Sequence, residues 1–141
     1  MAGAVRMAIA VAVGSSMCAC SLSGPGNSPS DLVGRRYVST SVEGRAIPGG
    51  GPLELSFPAR ERLAASAGCN RFTGTAELSG GVVRTGVLAS TRMACPPPRE
   101  GADAWLRELF SASPRWSSDG DVLTLTTSFV TVTLTDRAAG R

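Results

Sequence analysis

The chain has 141 residues, a formal net charge of +3 and a hydrophobic fraction of 43%, which fit one globular domain with a modest core. It contains no His, no Lys and no Gln, and this excludes Ser-His-Asp and Cys-His catalysis, His-ligated zinc and lysine Schiff-base chemistry. The arginines are scattered among the acids rather than clustered, so we expect no nucleic-acid binding. We also expect no catalytic residues, no metal and no cofactor.

The amino terminus has the three-part layout of a signal peptide. One positive charge in residues 1–6 precedes an apolar run over residues 7–13, and small residues lead to Cys20. The apolar run is shorter than the roughly 20 residues that a membrane-spanning helix needs. Because Ala19 and Cys20 resemble the end of a bacterial lipobox, we expect a signal peptide over residues 1–19 and a lipid on Cys20. The alternative is ordinary cleavage near Ala19, which would leave a secreted protein with a free thiol.

Residues 20–31 predict a lipidated Cys followed by a flexible tether, because Ser, Gly, Pro and Asn dominate the segment after Cys20. This arrangement would hold a folded domain at the exported, extracytoplasmic side of the cell membrane. The membrane is therefore the first expected partner.

The rest of the chain predicts short antiparallel strands and one helix. Alternation of apolar and polar residues between turn residues predicts seven strands, at Arg36–Val42, Leu53–Phe57, Leu63–Ala67, Thr73–Leu78, Val82–Leu88, Val122–Thr126 and Phe129–Thr135. Helical spacing of Trp105, Leu106, Leu109 and Phe110 predicts an amphipathic helix over Glu100–Ser111, bounded by prolines. We expect its apolar stripe to pack on the sheet.

Cys69 and Cys95 remain as one pair once Cys18 leaves with the signal peptide and Cys20 carries lipid. A disulfide is the expected state in an oxidising compartment. Such a bond would stabilise the fold by about 3 to 4 kcal/mol on the chain-entropy estimate. Metal binding and catalysis are the alternatives, but each lacks a further ligand or base nearby in the sequence.

Several local patterns in a fixed order resemble the META domain family, which includes HslJ-like bacterial lipoproteins. They are the opening Leu32-Val33-Gly34-Arg35-Arg36-Tyr37, in which Tyr37 stands where Trp is usual, then Gly68-Cys69-Asn70-Arg71-Phe72-Thr73-Gly74, then Leu88-Ala89-Ser90-Thr91-Arg92-Met93-Ala94-Cys95-Pro96, and the helix followed by Asp119-Gly120 and Val122–Leu125. The resemblance covers about residues 32–136 and leaves residues 137–141 as a tail. It implies an α+β fold, a small, strongly bent antiparallel β-sheet or cracked barrel with one packed helix. It also implies an envelope or secreted protein linked to stress tolerance.

The motif residues Asn70, Arg71, Thr91 and Arg92 are candidates for either a structural turn or a binding site. We favour the turn, because Asn tolerates a left-handed backbone and its side chain bonds neighbouring amides.

For function, the expectation is a non-catalytic, lipid-anchored envelope lipoprotein that binds an apolar ligand or a partner protein through the open end of the sheet. A structural or interaction protein without a ligand is the first alternative. A carboxylate-based cell-wall hydrolase is the second, and it would need two acids facing each other at about 5 to 10 Å.

Overall fold

A computed structural model describes residues 28–140 and, before them, isolated positions at 3, 10, 12 and 14. Cys20 and most of both the predicted signal peptide and the predicted tether lie outside the described residues. The last tether residues, Pro29–Asp31, form a single 3-10 turn, and the buried side chain of Leu32 follows directly.

Nine short strands form one antiparallel sheet within the described range. Their bounds are β1 Arg36–Gly44, β2 Glu54–Ser56, β3 Arg62–Ser66, β4 Arg71–Glu77, β5 Arg84–Thr85, β6 Ala89–Ser90, β7 Arg115–Asp119, β8 Val122–Thr126 and β9 Val130–Asp136. The order across the sheet is β5-β4-β3-β2-β1-β9-β8-β7, with β6 also paired to β4. The first and last strands therefore lie side by side near the middle, with Tyr37 opposite Asp136 and Gly44 opposite Val130.

The sheet curls until its two ends meet at one point. A bridge joins Val82 to Arg115, and the Val83 N–H donates to the Pro114 carbonyl at 2.8 Å. The indole N–H of Trp116 also crosses this seam and donates to the Leu78 carbonyl at 2.9 Å. The result is a half-barrel whose remaining opening is covered by the helix.

Helix α1, Ala102–Ser111, packs its apolar stripe into the half-barrel. Trp105, Leu106, Leu109 and Phe110 are all buried and belong to a single apolar core with the inward side chains of the strands. The Trp105 indole N–H donates to the Arg45 carbonyl at 3.0 Å, which ties the helix to the chain just after β1. The predicted fold class, an α+β fold with a strongly bent antiparallel sheet and one packed helix, is confirmed.

Three details differ from the sequence prediction. The helix begins at Ala102 rather than Glu100, because the prolines before it form a separate turn that ends at Arg99. The predicted strand Val82–Leu88 is only two residues long at β5, and β6 pairs separately after Gly86 and the exposed Val87. Strand β7 was not predicted, because only Trp116 among its residues is apolar and its other inward residue is Ser118.

Candidate functional site

The two cysteine motifs meet at one end of the helix. Cys69 and Cys95 are joined by a disulfide, with their Cα atoms 5.9 Å apart. The bond fixes the turn before β4 against the loop that follows β6. Asn70, directly after Cys69, is 4% exposed, and its Nδ2 atom lies 3.6 Å from the Cys95 sulfur.

The side chain of Asn70 is bonded at both ends. Its Oδ1 accepts from the Thr91 hydroxyl at 2.8 Å and from the Met93 N–H at 2.7 Å. Its Nδ2 donates to the Met93 carbonyl at 3.0 Å and to the Asp103 carboxylate at 2.6 Å. These donors and acceptors match only one orientation of the amide. We call Asn70, Thr91, Met93 and Asp103 the Asn70 junction.

Asp103 completes this junction, although the sequence analysis did not single it out. It lies in the first turn of α1, and its other oxygen accepts from the Asn70 backbone N–H at 3.1 Å. An acid in a first helical turn is favourable for any helix, so its sequence position gave no reason to pair it with Asn70. The junction thus connects β4, the loop after β6 and the helix.

The left-handed backbone expected at Asn70 occurs instead at Gly68, whose φ is 107°. Asn70 contributes through its side chain and through its backbone N–H, which donates to Asp103. Gly74, the second glycine of the motif, is required by close packing, since a Cβ there would lie 2.8 Å from Leu88 Cδ2 and 2.9 Å from the Val87 carbonyl oxygen. Gly68 is therefore favoured by its positive φ, and Gly74 by the lack of room for a side chain.

Arg71 and Arg92 do not take part in the junction through their side chains. Both are exposed. The backbone of Arg71 is held by Thr91, whose Oγ1 accepts from the Arg71 N–H at 3.0 Å and whose N–H donates to the Arg71 carbonyl at 3.0 Å. The structure therefore brings Asn70 and Thr91 together and leaves the two guanidinium groups free to face solvent.

One cluster of possible metal ligands occurs among the described residues. The sulfurs of Cys69 and Cys95 and a carboxylate oxygen of Asp103 lie within 4.8 Å of one another. The cysteine ligand of a metal is the thiolate, and here the two sulfurs are bonded to each other. In this form the cluster offers a single carboxylate, which Asn70 already engages.

A groove of about 570 Å³ opens beside the junction, between the segment Leu88–Arg92 and the helix residue Arg107. We call it the helix groove. Arg107 lies over the Phe72 ring, with its guanidinium carbon 4.9 Å from the ring centre, so that cation is held in place. Val87 and Met93, at either end of the segment, are 96% and 62% exposed. Arg92 and Arg107 line the groove, and the exposed Val87 and Met93 directly precede and follow the segment that forms one of its sides.

Two acids also come close together where β8 begins and β9 ends. Asp121 and Asp136 both contact Arg35, at 3.5 and 3.3 Å from its guanidinium. Tyr37 is buried beside them. Burial raises the pKa of the Tyr37 hydroxyl above its ordinary value, and the two carboxylates add to this effect, while Arg35 opposes it. Because a guanidinium lies between the two acids, their arrangement is that of an ion-pair network.

No helix among residues 28–140 is both long and apolar enough to cross a membrane.

Comparisons with known proteins match the folded domain. The family model of the META domain matches residues 30–139. Heat shock protein HslJ of Escherichia coli (strain K12) is 33% identical over 107 residues, covering 74% of this chain and 76% of that protein.

Two structures solved by NMR share the fold. One is 29% identical with a TM-score of 0.60, covering 77% of this chain and 93% of that one. The other, from Burkholderia xenovorans, is 23% identical with a TM-score of 0.60, covering 76% and 84% of the two chains. With a family model that spans the folded domain and a relative of 33% identity, this chain belongs to the META domain family.

Proposed function

We propose that this protein is a non-catalytic lipoprotein, held at the extracytoplasmic side of the cell membrane by a lipid on Cys20, and that its META domain acts by binding a partner at its surface. The observation that carries the surface proposal is the filled interior. Side chains of the helix and of all the longer strands occupy the concave side of the sheet, including Trp105, Phe110 and Phe72, each at most 2% exposed. An apolar ligand inside the sheet would have to displace them.

The arrangement of one pair of acids, Asp121 and Asp136, supports a non-catalytic role. A glycosidase needs two carboxyl groups that face each other across an open cleft, one of them able to protonate the leaving group. Asp121 and Asp136 come together around Arg35 instead, and Asp136 is 8% exposed and also accepts from the Ala138 N–H at 3.0 Å. The guanidinium stabilises both charges and occupies the space between them.

The helix groove is the surface that best fits a protein partner. Exposed Val87 and Met93 supply apolar contact area, and Arg92 and Arg107 supply directional donors for carboxylates or backbone carbonyls. The edge strand β6 has only two residues, which makes the side chains rather than strand addition the main means of contact.

Lipid attachment is tested by metabolic labelling with an alkyne analogue of palmitate. We expect the wild-type protein to take up the label and to sediment with membranes. Cys20→Ser should lose the label and appear in the medium, whereas Cys18→Ser, two residues away, should keep it. Labelling that is absent from the wild type would show ordinary secretion and refute the anchor.

Surface binding is tested by photocrosslinking in intact cells, since the chain has no Lys for amine-reactive reagents. A photoreactive phenylalanine analogue at Met93 should give a discrete crosslinked species that the same analogue at Val122, on the β7–β8 hairpin, does not. Recovery of uncrosslinked protein alone from both positions would count against a partner at the helix groove.

The name of the Escherichia coli relative associates that protein with heat shock. We extend to the present chain a role in tolerance of envelope stress. A deletion strain should grow less well than its parent at raised temperature, and a plasmid copy should restore growth only when it carries Cys20. Equal growth of deletion and parent strains would refute this part of the proposal.

A further inference from the structure

We propose that a trough on the outer face of the sheet is a seat for the phosphate of an anionic lipid headgroup. Arg36, Arg71 and Arg137 line this trough, which we call the arginine trough. The proposal rests on the membrane placement proposed above and adds to it the face of the domain that meets the membrane.

Strand register creates the trough. On the outer face, Arg36 of β1 lies opposite Ser56 of β2, and Ser56 lies opposite Ala64 of β3. In the neighbouring row, Ser66 of β3 lies opposite Arg71 of β4. In that row Glu54 of β2 lies opposite Ser66, so small side chains and one carboxylate share the middle of a hollow of about 250 Å³. The hollow is therefore floored by Ser and Ala and bounded by guanidinium groups.

The charges around the trough are unbalanced. Arg137 lies 3.6 Å from Glu54, which is the acid that also lines the trough. Arg36 and Arg71 have no acidic partner within 4.0 Å among the described residues. Three guanidinium groups thus line one hollow with a single carboxylate, and that carboxylate is paired with Arg137. A guanidinium presents paired N–H donors that match the oxygens of a phosphate.

Serine hydroxyls supply further donors in the same hollow. Ser56 and Ser66 both line it and are half-buried. Ser66 Oγ already accepts from the Gly68 N–H at 3.3 Å, so its own hydroxyl hydrogen is available for an incoming oxygen. The trough is therefore a donor-rich site that suits a compact anion.

The position of the trough in the chain points to a membrane as the source of that anion. Arg36 is the first residue of β1 and follows Leu32, whose burial fixes where the chain enters the domain. Leu32 is twelve residues after Cys20. The composition of residues 20–31 predicts a flexible tether, and a flexible chain of twelve residues has a root-mean-square span of roughly 19 Å and an extended limit of roughly 40 Å. A lipid on Cys20 would therefore keep the trough close to the headgroups.

The test uses the chain from residue 20 onward with Cys20→Ser, so that no lipid contributes to binding. Binding to vesicles of phosphatidylglycerol and phosphatidylcholine should exceed binding to phosphatidylcholine alone at low ionic strength. Each arginine near an anionic surface contributes about fivefold to the partition coefficient, so Arg36→Gln with Arg71→Gln should lower it about 25-fold. Circular dichroism checks that the variant is folded.

The matched control is Arg84→Gln with Arg115→Gln, which removes the same net charge from exposed positions on β5 and β7. It should change the partition coefficient by no more than about threefold, since only charge close to the surface counts strongly. Equal losses in the two double variants would overturn the proposal. Binding of inorganic phosphate by the wild type without any preference for phosphatidylglycerol vesicles would also overturn it, by showing a site for a soluble anion.

The outcome of the vesicle-binding test can be distinguished from the outcome of the lipid-labelling test. An unlabelled Cys20 combined with selective, Arg36- and Arg71-dependent vesicle binding would refute the anchor and leave the headgroup seat in place. A labelled Cys20 without vesicle selectivity would refute the seat alone.

Discussion

Replacing Asn70 with Ala removes the hydrogen bonds at the centre of the Asn70 junction. The amide side chain takes part in four of them, with the Thr91 hydroxyl, the Met93 N–H, the Met93 carbonyl and the Asp103 carboxylate. Each such bond contributes about 0.5 to 1.5 kcal/mol to the free energy of unfolding. Because Thr91 and Met93 are exposed, water can replace part of what they lose. We therefore expect a total loss of about 3 kcal/mol for Asn70→Ala.

In a domain of this size a loss of about 3 kcal/mol lowers Tm by roughly 15 °C. Thermal unfolding of the oxidised protein, followed by circular dichroism, measures it. Arg92→Ala is the control from the same motif; its side chain is exposed, and we expect a change within about 0.5 kcal/mol. A fall of less than about 3 °C for Asn70→Ala would refute the view that this amide holds the three segments together.

Three further changes test other parts of the fold. Replacing both Cys69 and Cys95 with Ala opens a loop of sequence separation 26 and should lower the unfolding free energy by about 3.5 kcal/mol in denaturant titration. A smaller loss than about 1 kcal/mol would contradict the chain-entropy argument. Because burial raises the pKa of Tyr37, its neutral form stabilises the fold fully below a pH of about 10, and this contribution is lost as pH rises through the folded pKa. With no Lys and one Tyr in the chain, Tyr37→Phe should flatten the alkaline fall in Tm, and an unchanged fall would exclude this tyrosine as its cause. Gly74→Ala should destabilise by about 1 to 3 kcal/mol, because the added methyl meets Leu88 and the Val87 carbonyl; a neutral effect would mean that the β5–β6 segment shifts freely.

The strands with regular alternation were the most predictable part of the fold. Val122–Thr126 was predicted with the bounds that β8 has, and β9 differs from its predicted range by one residue at each end. In these strands Val and Leu alternate with Thr, so the buried face can be read directly. In β7 the second inward position is Ser118, and a polar residue on the buried face removes the pattern.

The Asn70 junction was only partly predictable. The predicted disulfide between Cys69 and Cys95 would bring the two motifs together, but the sequence carried no signal for Asp103. Its contact with Asn70 depends on where the helix lies against the β3–β4 turn, which is a property of packing over 33 residues of separation. The arginine trough was less predictable still, because Arg36 and Arg71 share a face only through the register of four strands.

The pairing of β1 with β9 has a consequence for how the protein is made. Residues at opposite ends of the domain, such as Tyr37 and Asp136, are neighbours in the finished sheet. While the ribosome is still producing β9, β1 and β8 each lack one of their two neighbouring strands, and the sheet cannot be completed. Folding that depends on such distant contacts is slow. The domain therefore cannot complete its sheet until the residues of β9 have been synthesised.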